Sequence, residues 1–168
     1  MSSKTRFRLK MALYGLLLVL AQLLETALFG SLGLVPSLMP VAVAMISLFE
    51  GAQRGCIFGL AGGCIAAWST ELSIYGAWCI VILAVIGGLA GLVTERFLLR
   101  GIKTALCISA PALVLTEGVY VLTSIFIGRL PAMALLDTFL PDVALALAFC
   151  LVFYPLTACI SRIGGFHG

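Results

Sequence analysis

Residues Ile74–Thr94 read IYGAWCIVILAVIGGLAGLVT, twenty-one positions without one charged side chain. A helix of about 20 apolar residues is long enough to cross the hydrocarbon core of a bilayer. Similar runs flank this one at Met11–Leu32, Ser37–Phe49, Gly55–Trp68, Thr104–Ile127 and Leu140–Ile160. Of the 168 residues, 62% are hydrophobic and only 10% charged, and mean hydropathy is +1.22. An ordinary soluble domain is about half apolar and about a quarter charged, so this chain has too little polar surface to cover itself in water. Soluble enzyme folds, nucleic-acid domains, secreted disulfide scaffolds and disordered chains are excluded. The expected fold is an all-α polytopic membrane protein of six transmembrane helices, a single transmembrane domain with no room for a large aqueous one. The positive start and apolar run also resemble a secretory signal. The run is too long for one and lacks a clean cleavage site, so it is read as a retained helix.

Charge supplies the orientation. With the N-terminus inside, the inner segments hold Lys4, Arg6, Arg8, Lys10, Arg54, Arg96, Arg100, Lys103 and Arg162, and the outer ones only Arg129. Cytoplasmic loops are the Lys/Arg-rich ones, so both termini are expected inside. The second and third runs are short for a crossing. They are expected to lie nearly upright, to thin the bilayer or to extend into their flanks. Between the fifth and sixth runs, Leu130, Met133, Leu136 and Phe139 recur at helical spacing, with Arg129 and Asp137 off that face. This pattern fits a short amphipathic helix on the outer interface or an irregular loop.

Catalytic constellations are lacking. The six cysteines form no C-x-x-C pair and lie in apolar runs, where Cys acts as a small hydrophobe. The single His167 lies outside the runs, and the two aspartates, Asp137 and Asp142, are placed at the outer surface. No nucleotide-binding glycine loop is present. No cofactor, metal or nucleic-acid partner is expected. Glycine gives the strongest local signal. Gly51, Gly55, Gly59 and Gly63 recur every fourth residue, and Gly87, Gly88 and Gly91 follow in the next run. Small residues let helix backbones approach closely in lipid. The row therefore packs the third helix on the fourth, or forms a groove for a partner's helix.

Intramembrane acids are costly and need a reason. Glu50, Glu71 and Glu95 fall at run ends, within reach of headgroups or water. Glu25 lies deeper, one turn after Gln22. Glu117 is near the centre of the fifth run, beyond Pro111 and beside Thr116 and Tyr120. It is expected to face the bundle interior, in a structural hydrogen bond or at a binding site.

Taken together, these motifs resemble the MreD family of rod shape-determining membrane proteins. The residues that carry the resemblance are the glycine-rich third run behind a basic turn, GAQRGCIFGLAGG at 51–63, and the polar turn from Ser69 to Gly76. Glu117 in the fifth run, and Pro155 before Arg162 in the last, complete it. Many members have an acid where this chain has Ala67. The resemblance implies a non-enzymatic scaffold in the bacterial cytoplasmic membrane. It implies as partners an MreC-like bitopic protein and the peptidoglycan synthase of the rod complex, besides membrane lipid. It also implies a bundle like the substrate-binding S components of energy-coupling-factor transporters. A vitamin-capturing S component is therefore the alternative function, with Gln22, Glu25, Tyr75 and Trp78 placed to line a pocket.

Overall fold

A computed structural model describes residues 3–29, 37–69, 74–97, 101–126 and 132–164. Among these the chain forms six α-helices and no strand: α1 (Ser3–Leu23), α2 (Leu38–Glu50), α3 (Ala52–Ser69), α4 (Ile74–Phe97), α5 (Ile102–Phe126) and α6 (Ala132–Gly164). Four helical stretches are long and apolar enough to cross a membrane: Lys4–Ala27, which continues from α1 into the π-helical turn that follows it, Gly76–Arg96, Ile102–Thr123 and Pro141–Ile163. The chain is a multi-pass helical membrane protein.

The short α2 is the axis of the bundle. Every residue from Leu38 to Leu48 is buried, and α2 touches each of the other five helices. A helix that is apolar on all sides belongs in a core. Thirteen residues rise only about 20 Å, less than the roughly 30 Å of a bilayer core. Its shortness thus has a different origin from tilt or bilayer thinning: α2 is sheathed by protein, so its length need not match the lipid. Tyr14, Leu18, Leu83, Leu113 and Phe153 from the surrounding helices complete this core.

The packing of α3 on α4 is the closest in the molecule. A Cβ placed on Gly55 would meet the Gly87 carbonyl, one on Gly59 the Leu83 carbonyl, and one on Gly63 the Ile80 Cα. Reciprocally, a Cβ on Gly87 would meet Gly55, and one on Gly91 would meet Ala52. As numbers rise along α3 they fall along α4, the constant register of two antiparallel helices in backbone contact. The row at 55, 59 and 63 is therefore filled by α4 and is not an open groove. Gly62 faces α2 instead, at 3.2 Å from Met39 Sδ and Val43 Cγ2.

Gly51 turns the chain from α2 into α3 at φ +85, a region that favours glycine. Its N–H donates to the Ser47 carbonyl at 2.9 Å. The Glu95 carboxylate, from the end of α4, fills the space where a Cβ would stand and accepts from the Ala52 N–H at 3.1 Å. Acid at the start of α3 suits the helix dipole.

The helix boundaries differ from the sequence reading in two places. Starting at Ser3 rather than Met11, α1 carries its basic residues on the same helix, because Lys and Arg are good helix formers. The separate outer-interface helix is not found from Ala132 on. Residues 132–140, with Met133, Leu136 and Phe139, are the first turns of α6 and run unbroken through Pro141. Neighbouring helices and side chains can re-satisfy backbone groups freed by proline in a membrane helix. At 33 residues, α6 is about 50 Å long, so those first turns extend past its apolar stretch. Leu130 lies outside the described residues.

Candidate functional site

The N-terminus of α2 lies inside the bundle, and a helix start leaves backbone N–H groups without partners. Away from water these must be satisfied. Glu25 does this. After Leu23 the first helix widens into a π-helical turn, Leu24–Phe29, a geometry common at functional sites. From it the Glu25 carboxylate accepts from the backbone N–H groups of Leu38 and Met39. A negative group is also the charge that the positive end of the α2 dipole favours.

Ser37, the residue before α2, makes no cap bond of its own. Its hydroxyl donates to Glu117 on α5, a residue only 8% exposed. Glu117 lies near Glu25, and Asp142 on α6 near Glu117. Asp142, placed by the sequence at the outer surface, is therefore half-buried beside the cluster. Gln22 adds an amide whose Nε2 donates to Ser69 Oγ at 3.0 Å. A small cavity of about 40 Å³ lies among Gln22, Glu25, Ser37, Ser69 and Thr116. At this end of the bundle the three polar residues Gln22, Glu25 and Glu117 are brought together. The sequence reading missed Ser37, Ser69 and Asp142 as members. The readable signal was Ser37, a preferred N-cap residue directly before an apolar run.

A second polar group closes the opposite end. Lys10 Nζ lies 2.5 Å from Glu50 Oε1 and Arg54 Nη1 lies 2.5 Å from Oε2. The Tyr14 hydroxyl donates to Oε1 at 3.0 Å. The Glu50 side chain is only 1% exposed, so it does not reach water or headgroups as its position at a run end suggested. The elements that meet here are the start of α1, the end of α2 and the start of α3.

Comparison with protein-family models, curated proteins and solved structures finds no match. The chemistry of the site must therefore be read from its own residues. Among the described residues, no three His, Cys, Asp or Glu side chains are arranged to hold a metal ion. None of the six cysteines is in a disulfide; Cys79 and Cys150 are buried, and Cys64, Cys107 and Cys159 are exposed. Adjoining the polar cluster and sharing Gln22 and Ser69 with it, a largely apolar groove of about 510 Å³ runs between α1 and α3, lined also by Val19, Leu23, Thr26, Cys64, Ile65 and Trp68. Trp68 is 85% exposed, as suits a ring at a membrane interface. Tyr75 lies on the first turn of α4, and Trp78 is exposed.

Glu117 separates hydrogen bonding from charge. Glu117→Gln keeps an acceptor for the Ser37 hydroxyl and is expected to unfold within about 1 kcal/mol of the wild type. Glu117→Ala leaves that hydroxyl without its acceptor and is expected to lose about 1–3 kcal/mol. Lysine at this depth is expected to be worse than either. Unfolding in detergent, followed by circular dichroism, gives the order. Equal losses from Gln and Ala would show that ionised Glu117 is required.

Proposed function

We propose that this chain is a non-enzymatic membrane scaffold of the bacterial cell-elongation machinery. It sits in the cytoplasmic membrane with both termini inside, and supports an MreC-like bitopic partner and the peptidoglycan synthase of the rod complex. The observation that carries this reading is the size of the polar cavity. Ligand pockets for small molecules span roughly 300–1,000 Å³, whereas the cavity around Glu25 is about 40 Å³. The roomier groove between α1 and α3 has Gln22, Thr26 and Ser69 among its lining residues, but the surface it presents is mostly apolar, from Val19, Leu23, Ile65 and Trp68, as expected of a surface that meets lipid or another helix. The polar groups at the two ends hold helices in place and form no nucleophile–base pair among the described residues.

The S-component reading is favoured by a different observation. Gln22, Glu25, Ser37, Thr116 and Glu117 converge at one end of the bundle, and convergent polar groups are what a vitamin site needs. The Gly51–Gly63 row supports neither reading, because α4 occupies it.

Purification of the full chain from its native membrane, in mild detergent, distinguishes the two. Recovery of a bitopic MreC-like protein and a peptidoglycan synthase is the expected result. Recovery of an ATPase-linked transport component, or saturable vitamin binding by the isolated chain, would replace the scaffold with the S component. Leu136→Asp with Phe139→Asp tests the first turns of α6 as the contact with the extracytoplasmic partner. Loss of that partner from a protein still inserted and monodisperse is the expected outcome. Unchanged recovery would remove that segment from the interface.

A further inference from the structure

The cavity beside Glu25 is lined by oxygens that have already given their protons away. The Ser69 hydroxyl donates to the Ala66 carbonyl at 2.8 Å, the Thr116 hydroxyl to the Ala112 carbonyl at 2.9 Å, and the Ser37 hydroxyl to Glu117. Because Ser69 spends its proton on Ala66, it accepts from Gln22, and this fixes the amide orientation. Nε2 faces Ser69 and Oε1 faces away. Gln22 Oε1 and Glu25 Oε2 are both fully buried, and neither has a hydrogen-bond partner within the protein. Both residues line the same cavity. An unpartnered buried acceptor is costly, and two sharing one cavity call for a donor or a cation between them.

No basic side chain answers that need. Among the described residues every Lys and Arg lies at the starts of α1, α3 and α5 or the ends of α4 and α6. Lys10 is separated from Glu25 by about 22 Å of helix rise. The acids that face the cluster, Glu25, Glu117 and Asp142, come from three elements. Transition metals are disfavoured, since no set of three His, Cys, Asp or Glu ligands exists here. Divalent calcium, which takes six to eight oxygens and usually several carboxylates, is poorly served by one carboxylate oxygen and one amide oxygen.

We propose that this cavity binds one monovalent alkali cation, held by Gln22 Oε1 and Glu25 Oε2 with the Ser37, Ser69 and Thr116 hydroxyl oxygens around it. About 40 Å³ suits one such ion with little water. The ion ties the π-helical turn to the start of α2 and so locks the outer end of the bundle. This inference is independent of the scaffold reading, because either function can carry a structural ion.

The test uses the full chain in detergent, with sodium, potassium and choline chlorides exchanged at constant ionic strength. The wild type is expected to show a saturable rise in unfolding temperature in sodium or potassium over choline. The rise should be about 3–6 °C at ten times the dissociation constant. Radioactive sodium or rubidium should be retained at about one ion per chain. Glu25→Gln keeps an acceptor for Leu38 and Met39 and gains an amide donor for Gln22, so it is expected to fold and to lose the response. Gln22→Leu should weaken ion retention at least tenfold. Identical unfolding in all three salts would overturn the proposal, leaving water or a proton on Glu25 to satisfy the two oxygens. An undiminished ion response in both variants would overturn it equally, by placing the ion elsewhere.

Discussion

Gly59→Leu is expected to abolish the folded bundle, the largest effect of any single change considered. A Cβ at Gly59 would overlap the Leu83 carbonyl oxygen and stand 2.7 Å from the Leu83 carbonyl carbon and 2.8 Å from Ala84 Cα. These are backbone atoms, so no rotamer change relieves the contact. Leu83 is 1% exposed and lies in the core around α2, so α4 cannot retreat without opening that core. Overpacking ordinarily costs about 1–3 kcal/mol. Pushing two backbones apart along a shared register exceeds that range, and a loss above about 4 kcal/mol is expected. Gly62→Ala is the internal control. Its neighbours are side-chain atoms, Met39 Sδ and Val43 Cγ2 at 3.2 Å, which need shift only a few tenths of an ångström, so a loss of no more than about 1–3 kcal/mol is expected. Detergent unfolding and monodisperse yield measure both. A Gly59→Leu protein that melts within about 2 °C of the wild type would show that α3 and α4 separate freely.

The glycine pattern is where sequence and structure agree most closely, and the reason is physical. In lipid only close backbone approach and polar contacts draw helices together, so a row of glycines records a contact whatever else the fold does. The fourth helix was legible as one candidate partner, but the register, Gly55 against Gly87 and Gly59 against Leu83, was not. The short second run was visible too, but its cause was not. Read alone, it suggested an adjustment to the bilayer. In the structure the shortness of α2 and the intramembrane Glu25 are one fact, since a helix that starts inside the bundle needs an acceptor for its first N–H groups. Local pattern could not join Glu25 to Leu38, because a turn outside the regular α-helical period intervenes. The amphipathic spacing of Met133, Leu136 and Phe139 was real as a helical pattern, but spacing does not say whether a helix ends before the next run.

Glu50→Ala is expected to cost about 3 kcal/mol, because it removes the shared acceptor of a buried ion pair and leaves its partner behind. The bond to Arg54, four residues on, is the weaker contributor: Arg54 is 45% exposed, where ion pairs contribute about 0–1 kcal/mol. Lys10 is 11% exposed and the Tyr14 ring is fully buried, so the loss comes from them. Lys10 Nζ also lies 5.9 Å from the Tyr14 ring centroid, which binds the same two α1 residues to each other as well as to α2. Three results should follow in detergent unfolding. Glu50→Gln, whose amide oxygen still accepts from Lys10 and Tyr14, should lose about half as much as Glu50→Ala. Arg54→Ala should lose less than about 1 kcal/mol. The double change Lys10→Met with Glu50→Leu should lose less than the sum of its parts, because it leaves no uncompensated charge in the bundle. If Arg54→Ala proved as damaging as Glu50→Ala, the exposed bond would be the one that holds this end together, and the buried α1 to α2 contact would be secondary.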